Sequence, residues 1–197
     1  KNLCRKHLDL PADAFVIVTG GASLTDTNKN VPWLLEQLSR LPDLDGVIVL
    51  AFGEGTVPVP DRLNVRFTGG IRERGDLARL LAAADVFVSA SLMETYGLTL
   101  VEAMACGTPV IAFRVGGIPE AAPDGQGAIL CTGGNGPALI EAITKLRNSP
   151  QLRDRLGSLA HETAHNRNAA SSFANAFAQL YRECVSPRED AQPALIT

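Results

Sequence analysis

Two glutamates separated by seven residues flank the start of a predicted helix. Glu94 lies in a glycine-containing loop, and Glu102 lies just over one turn inside the helix that follows. The first turn of a helix has backbone N–H groups without acceptors, and together with the helix dipole they form an anion site. Carboxylates repel a phosphate, but they accept hydrogen bonds from sugar hydroxyls. The spacing therefore predicts a phosphate at the helix N-terminus with sugar hydroxyls on either side, as in a nucleotide sugar.

A strand, a loop, a helix and a second strand are predicted around these glutamates. Residues 86–88 form an apolar run that is typical of a buried strand, and loop residues that include Gly97 follow. A helical pattern begins near Leu98 and ends at Gly107, and residues 109–113 favour another strand. This order is a βαβ unit, in which the loop presents its backbone N–H groups at the helix N-terminus.

The rest of the chain alternates strands and helices in the same way through residue 131. Such alternation implies a parallel sheet with helices on both faces. We therefore predict an α/β fold with a doubly wound, Rossmann-like parallel sheet of six strands, in one domain over residues 1–185 followed by a flexible tail over 186–197. The predicted strands are residues 15–19, 46–52, 65–67, 86–88, 109–113 and 128–131.

Sheets of this kind bind ligands beyond the carboxyl ends of their strands. Loops 20–30, 69–73, 91–98 and 114–118 follow strands, so we expect them to gather at one edge of the sheet. Residues 1–10 are predicted to be a short helix or a linker that enters the domain.

The residues around the two glutamates resemble the E-x(7)-E signature of retaining glycosyltransferases with the GT-B fold, particularly those of family 4. The similarity includes Ala84-Asp85 before the signature, residues 102–110 at its end, and Gly116-Gly117 further on. It extends with less specific residues over about 10–183. The resemblance implies that the chain is one half of a GT-B enzyme, the C-terminal donor-binding half, and that a separate N-terminal domain binds the acceptor.

Enzymes of that family transfer a sugar, here expected to be of the hexose type, from a nucleotide donor to an acceptor hydroxyl with retention. By this resemblance Glu94 is the catalytic residue that holds the hydroxyls of the transferred sugar near the reacting carbon. Glu102 accepts hydrogen bonds from the ribose hydroxyls, and Lys29 neutralises the donor diphosphate. The other implied donor contacts are Ile71 and Arg72 for the nucleobase, Tyr96, Gly97, Leu98 and Thr99 for sugar and phosphate, and Gly117 near the sugar and its diphosphate.

The chain departs from the family pattern in loop 20–30. That loop usually carries an Arg and a Lys, but a Gly-Gly-Ala-Ser stretch at residues 20–23 stands where the Arg is expected. The hydroxyls of Ser23 and Thr25 are candidates for a partial replacement. The departure leaves a second function open, a nucleotide-sugar-binding module without catalysis. An epimerase of the same fold is a third, but the E-x(7)-E context argues against it.

Cofactors and partners follow from the resemblance and from composition. The resemblance implies a UDP-, GDP- or ADP-sugar as substrate and no required metal, because a helix and a cation stabilise the leaving diphosphate. A net charge of −3 without a basic run gives nucleic-acid binding no electrostatic support. No apolar run approaches the roughly 18 residues that span a bilayer, so peripheral membrane contact is left to the acceptor domain. The four cysteines are widely spaced, which predicts reduced thiols in a cytoplasmic protein.

A competing motif, His161-Glu-Thr-Ala-His165, matches the H-E-x-x-H helix of zinc proteases. On a helical wheel Leu152, Leu156 and Leu159 lie on one side and both histidines lie on the opposite side. A catalytic zinc needs its ligands to face a cleft, with a third protein ligand beside them. We therefore predict an exposed histidine pair without a catalytic metal.

Overall fold

Six parallel strands form a single sheet in the order β3-β2-β1-β4-β5-β6 in the computed structural model, which describes residues 1–168 and 170–185. Each neighbouring pair is parallel. The strand order reverses between β1 and β4, which is where such folds bind ligands. The predicted six-stranded, doubly wound sheet is therefore confirmed. The strands are β1 Phe15–Ser23, β2 Val47–Glu54, β3 Val65–Gly69, β4 Val86–Ser89, β5 Val110–Phe113 and β6 Ala128–Cys131.

Helices cover both faces of the sheet because neighbouring residues of each buried strand point in opposite directions. Val16 and Val18 pack into one core cluster with Leu81 and Met104, whereas Ile17 lies in the other. The helices are α1 Asn2–His7, α2 Val31–Leu38, α3 Arg74–Ala83, α4 Leu98–Ala105, α5 Ile118–Ala121, α6 Gly136–Asn148, α7 Pro150–Asn168 and α8 Ala170–Val185. None in the described part of the chain is long and apolar enough to cross a membrane.

Strand β1 is longer than the sequence predicts. It was expected to end at Thr19 with a polar loop over residues 20–30, but it continues to Ser23. β1 is longer because strand β2 extends to Glu54, which pairs with Ser23 after a shift of register that begins at Gly20. The connecting loop is therefore shorter than expected and covers residues 24–30. Residues 1–10 contain a helix, α1, and the predicted tail over 186–197 lies outside the described residues.

A buried ion network joins the start of the chain to the middle of the sheet. Asp85, directly before β4, accepts hydrogen bonds from the Arg5 guanidinium at 2.6 Å and from the Val16 N–H at 2.7 Å. The Arg5 and Asp85 side chains are 6% and 5% exposed. Lys1 and Arg153 contact the other carboxylate oxygen at 2.6 and 3.4 Å. One carboxylate thus holds α1, β1 and α7 together.

Helix α8 carries its apolar residues on the surface. Its aromatic rings contact one another along the helix, with the Phe173 and Phe177 centroids 4.5 Å apart. A stripe of this kind is an unusual amount of exposed apolar surface for one helix. Its large exposed residues are Phe173, Phe177, Leu180, Tyr181 and Val185.

Candidate functional site

Three loops meet at the carboxyl ends of the strands, around Glu94. The N–H of Leu92 donates to the carbonyl of Asn28 at 2.8 Å, which joins the loop after β4 to the loop after β1. The N–H of Gly117 donates to the carbonyl of Glu94 at 3.0 Å, which adds the loop after β5. The structure therefore brings together three of the four loops that the sequence assigns to one edge, those after β1, β4 and β5.

Lys29 and Glu94 form an ion pair at the centre of these loops, with the Lys29 ammonium on Oε1 of the carboxylate. The Lys29 side chain is 26% exposed and that of Glu94 is 14% exposed. The sequence suggested separate roles for the two residues and gave no sign that they touch. The Lys29 stem passes Gly21, where a β-carbon would lie 3.4 Å from Cε of the lysine. Part of the stretch that replaces the expected Arg thus borders Lys29 directly.

Two buried serines support Glu94 from beneath, and sequence reasoning missed both. Ser91 is 1% exposed and Ser89 is 8% exposed. The Ser91 hydroxyl donates to Oε1 of Glu94 at 3.4 Å, and the two serine hydroxyls lie 3.0 Å apart. Small hydroxyl residues at the end of a buried strand were the available signal, but they are also common in loops.

The pair Gly116-Gly117 packs against the backbone of the Glu94 loop. A β-carbon at Gly116 would lie 1.8 Å from the Glu94 carbonyl oxygen, and one at Gly117 would lie 2.1 Å from that of Thr95. Distances this short leave no room for a side chain. Gly116 also has φ of 50°, which disfavours other residues. The glycines therefore fix the position of the loop that carries Glu94.

Helix α4 begins directly beyond that loop. Gly97 caps it in the left-handed region with φ of 89°, and its carbonyl accepts from the N–H groups of Leu100 and Val101. The N–H groups at the helix start, including those of Leu98 and Thr99, have no acceptor within the helix, so this end attracts anions. Leu98 is 70% exposed and Tyr96 is 37% exposed. The α4 N-terminus therefore opens toward the same edge as Lys29.

Glu102 lies on the side of α4 that faces α3. It lines a cleft of 260 Å³ together with Arg74, Leu77 and Cys106. Partial burial raises the pKa of the Glu102 carboxyl above its usual value, and the charge of Arg74 opposes that rise. Glu102 is therefore a partly desolvated acceptor beside the loop that leads into α3.

Two residues of that loop were assigned to a nucleobase by resemblance. Ile71 is half-buried and packs against the core, while the side chain of Arg72 is exposed. Backbone contacts to a base, which the resemblance implies for these residues, would leave no mark on side-chain packing. Their predicted role stays a prediction.

The H-E-x-x-H pair lies outside this site. His161 and His165 are exposed, with ring centroids 5.1 Å apart, and Nδ1 of His161 lies 2.8 Å from the Ala105 carbonyl oxygen. Within residues 1–168 and 170–185, no three His, Cys, Asp or Glu side chains are grouped so as to hold a metal ion. The predicted exposure of the histidine pair is confirmed.

Two further features lie away from Glu94. An Asp-x-Asp triplet, a pattern whose two carboxylates could bind a metal ion, occurs at residues 43–45 before β2. Its first carboxylate is already engaged in hydrogen bonds within the protein. Arg147 donates to Asp43 at 2.9 Å, and the Asp45 N–H donates to it at 2.8 Å. These bonds, the backbone one above all, lower the Asp43 pKa. A larger cleft, 560 Å³, lies at the opposite edge of the sheet, where Asp85, Arg153 and His161 line it, whereas His165 is not among its lining residues.

Comparisons with known proteins give a consistent result. The family model described as "Glycosyl transferases group 1" matches residues 14–149. The chain is 41% identical over 198 residues to the D-inositol 3-phosphate glycosyltransferase of Streptomyces bingchenggensis, across 90% of this chain and 43% of that protein. It is 32% identical over 113 residues to the N-acetyl-alpha-D-glucosaminyl L-malate synthase of Bacillus anthracis, across 57% of this chain and 30% of that protein.

A solved structure agrees with both. The sucrose-phosphate synthase of Thermosynechococcus elongatus superposes with a TM-score of 0.80 and 28% identity, across 93% of this chain and 49% of that chain. The chain therefore spans less than half the length of each of these three proteins.

Proposed function

Because the chain belongs to the group 1 glycosyl transferases, we propose that it is the donor-binding half of a retaining enzyme that transfers a hexose-type sugar from a nucleotide to an acceptor hydroxyl. Membership of this family confirms the resemblance that the sequence predicts. The observation that carries the proposal is the meeting of the Lys29 ammonium and the Glu94 carboxylate at the N-terminus of α4. One cation, one carboxylate and a set of free N–H groups suit a sugar diphosphate.

The diphosphate is assigned to Lys29 and to the first turn of α4. As the bond to the sugar breaks, negative charge grows on the leaving diphosphate. Fixed cations and helix N–H groups stabilise such charge without reorganising. No metal ion is needed in this proposal, because the Lys29 ammonium and the N–H groups at the start of α4 supply the positive charge.

The transferred sugar is assigned to Glu94. Its carboxylate accepts hydrogen bonds from sugar hydroxyls once Lys29 has turned to the diphosphate. The loop backbone over Tyr96, Gly97 and Leu98 is assigned to the same sugar and its phosphate, and so is Gly117, whose N–H donates to the Glu94 carbonyl. On donor binding the Lys29–Glu94 ion pair thus separates into two contacts, one for each part of the donor.

The nucleoside is assigned to the far side of α4. Glu102 accepts from the two ribose hydroxyls, and the backbone of Ile71 and Arg72 contacts the base. Because contacts of this kind recognise the base through backbone groups, UDP-, GDP- and ADP-sugars all remain candidate donors. No cofactor besides the donor is required.

The acceptor is assigned to a second domain outside this chain. The two relatives share this portion of their sequences, yet their names point to unlike acceptors, an inositol phosphate and malate. Such a difference is expected if another domain selects the acceptor. Exposed apolar residues beside Glu94, Leu92 and Met93 among them, and the stripe on α8 are candidate surfaces for that domain. The four free thiols support a cytoplasmic location.

A second function, a nucleotide-sugar-binding module without catalysis, is favoured by one observation. Gly21 borders the Lys29 stem where the family pattern expects a second cation nearby. Loss of that cation would weaken the charge stabilisation on which transfer depends. The two functions differ in one result, because only the first predicts sugar transfer once the acceptor domain is present.

Replacing Lys29 by Ala is expected to weaken nucleoside diphosphate binding by roughly 10- to 150-fold, the value of one charge-assisted hydrogen bond. Binding of the nucleoside alone should hardly change, because Lys29 is assigned to the diphosphate. Calorimetric titration with both ligands measures the difference. Lys145→Ala, an exposed lysine on α6, is the matched control. Equal losses for nucleoside and diphosphate, or none, would remove Lys29 from the phosphate site.

Replacing Glu102 by Gln is expected to reduce nucleotide affinity by roughly 10- to 150-fold, because the carboxylate accepts from two ribose hydroxyls. A 2′,3′-dideoxy nucleotide should bind the wild type poorly and lose little more in the variant. Glu141→Gln, an exposed glutamate on α6, is the control. Strong discrimination against the dideoxy ligand by the variant would show that a residue other than Glu102 binds the ribose hydroxyls.

The raised pKa of Glu102 gives that variant a pH signature. The charged carboxylate is the better acceptor, so the Glu102 part of the affinity should disappear as pH falls through this raised pKa. The Gln variant should lack the step. The pH dependence of folding stability has the opposite sign. Because the Glu102 pKa is raised in the folded state, the stability that this group contributes is lost as pH rises through that pKa. At neutral pH the variant should therefore bind worse without being less stable.

A further inference from the structure

Ser91 occupies the space between the sheet and the Glu94 carboxylate. It lies two residues beyond β4 and is 1% exposed, so water does not reach its hydroxyl from outside. That hydroxyl is 3.4 Å from Oε1 of Glu94 and 3.0 Å from the hydroxyl of Ser89. The two serines and Glu94 therefore form a continuous chain of hydrogen-bonding atoms that leads from the buried strand to the surface of the site.

The direction of this chain follows from its donors and acceptors. An ionised carboxylate only accepts, so the Ser91 hydroxyl must donate its proton to Glu94. The Ser89 hydroxyl must then donate to the oxygen of Ser91. The oxygen of Ser89 in turn lies 3.4 Å from the N–H of Ser91, which donates to it. Every hydroxyl thus directs its positive end toward Glu94.

Oε1 of Glu94 is the atom on which two donors converge, Ser91 from below and Lys29 from the open side. A diphosphate that takes Lys29 would remove the second donor. The Ser91 hydroxyl is buried on the protein side of the carboxylate, away from the open side where the ligand arrives, so its bond to Glu94 can stay when Lys29 moves. It is therefore the contact that can still fix the carboxylate in the donor complex.

We propose that Ser91 is a positioning residue, which keeps the Glu94 carboxylate aimed at the transferred sugar after the diphosphate has drawn Lys29 away. The inference rests on the proposed function, because it assigns the sugar to Glu94 and the diphosphate to Lys29. Ser89 acts one step earlier by orienting the Ser91 hydroxyl. Neither serine touches the donor itself.

Removal of the Ser91 hydroxyl should weaken binding of the sugar without weakening binding of the rest of the donor. In Ser91→Ala the affinity for a nucleoside diphosphate should stay at the wild-type value, since Lys29 and α4 are untouched. The additional affinity for its glucose ester should fall by about 5- to 10-fold, the value of one hydrogen bond. Ser91→Cys keeps the shape but donates weakly, so it should fall between the two. Thr108→Val removes a buried hydroxyl that bonds the Leu81 carbonyl at the opposite edge, and it should alter neither affinity.

The experiment titrates wild type and variants with UDP, GDP and ADP and with the glucose ester of the tightest binder. The carboxyl ¹³C resonance of Glu94, assigned by its absence in Glu94→Gln, supplies a readout that needs no sugar. It should move in Ser91→Ala and stay in Thr108→Val. An unmoved resonance in folded Ser91→Ala overturns the hydrogen bond, and an unchanged ratio of ester to diphosphate affinity overturns its role toward the sugar. Failure of the wild type to bind any nucleotide defeats the proposed function instead, while the resonance still decides whether Ser91 holds Glu94.

Discussion

Replacing Asp85 by Asn is expected to lower the free energy of unfolding by about 3–5 kcal/mol, because it leaves the buried Arg5 guanidinium without its charged partner. The Arg5 guanidinium is 6% exposed and bonds the carboxylate at 2.6 Å. The neutral amide would also have to accept from Val16 and face Lys1 and Arg153 with one oxygen instead of two. A loss of this size is a large fraction of the stability of a typical domain.

Urea denaturation followed by circular dichroism measures this loss. Asp76→Asn is the matched control, because Asp76 pairs with Arg79 on the surface of α3, where both side chains are about half exposed. A surface pair of this type contributes about 0–1 kcal/mol. Equal losses in the two variants would contradict the structural importance of the buried network. The folded fraction of Asp85→Asn should bind nucleotides normally, since the network lies at the opposite edge from Glu94.

The chain alone is expected to show no sugar transfer with any donor. The proposed acceptor domain is outside these residues, so nothing aligns an acceptor oxygen with the anomeric carbon of the donor. Such alignment can be worth about 7–11 kcal/mol of barrier, which corresponds to roughly 10⁵- to 10⁸-fold in rate. The sugar would also stay hydrated where the second wall of the cleft is needed to exclude water.

A transfer assay with labelled UDP-, GDP- and ADP-sugars tests this expectation. Inositol 3-phosphate and L-malate are the first acceptors to try, since the names of two relatives contain them. Robust turnover by the 197 residues would contradict the half-enzyme account. Addition of an acceptor domain from a relative should restore transfer if Glu94 is catalytic, and it should fail to do so if the chain is only a binding module.

The fold could be predicted from the sequence because the patterns that specify its strands and helices involve neighbouring residues. Apolar runs such as residues 86–88 and helix stops such as Gly107 specify strands and helices within a few neighbours. Alternation then leaves few topologies besides a parallel sheet. The end of β1 was missed because it depends on β2, whose extension to Glu54 provides the partner for Ser23.

The positions of the loops that form the candidate site could be predicted from the sequence, but the contacts between their side chains could not. Loop positions followed from strand order, so Lys29 and Glu94 were expected at one edge. Their ion pair joins residues that are 65 positions apart, and the position of each side chain is set by packing rather than by spacing. The Ser91 support was invisible for a related reason, because only burial separates it from an ordinary loop serine. The Asp85 network likewise joins three distant segments.

Calorimetric titration of the chain with UDP, GDP and ADP tests the central claim most directly, because all the residues proposed to bind the donor lie within this chain. We expect at least one of them to bind with a Kd of roughly 10 μM to 1 mM. The same titration of Lys29→Ala and Glu102→Gln should show the two separate losses described above. Absence of binding to all three nucleotides by folded protein would contradict the account, and the chain would then be a degenerate member of its family.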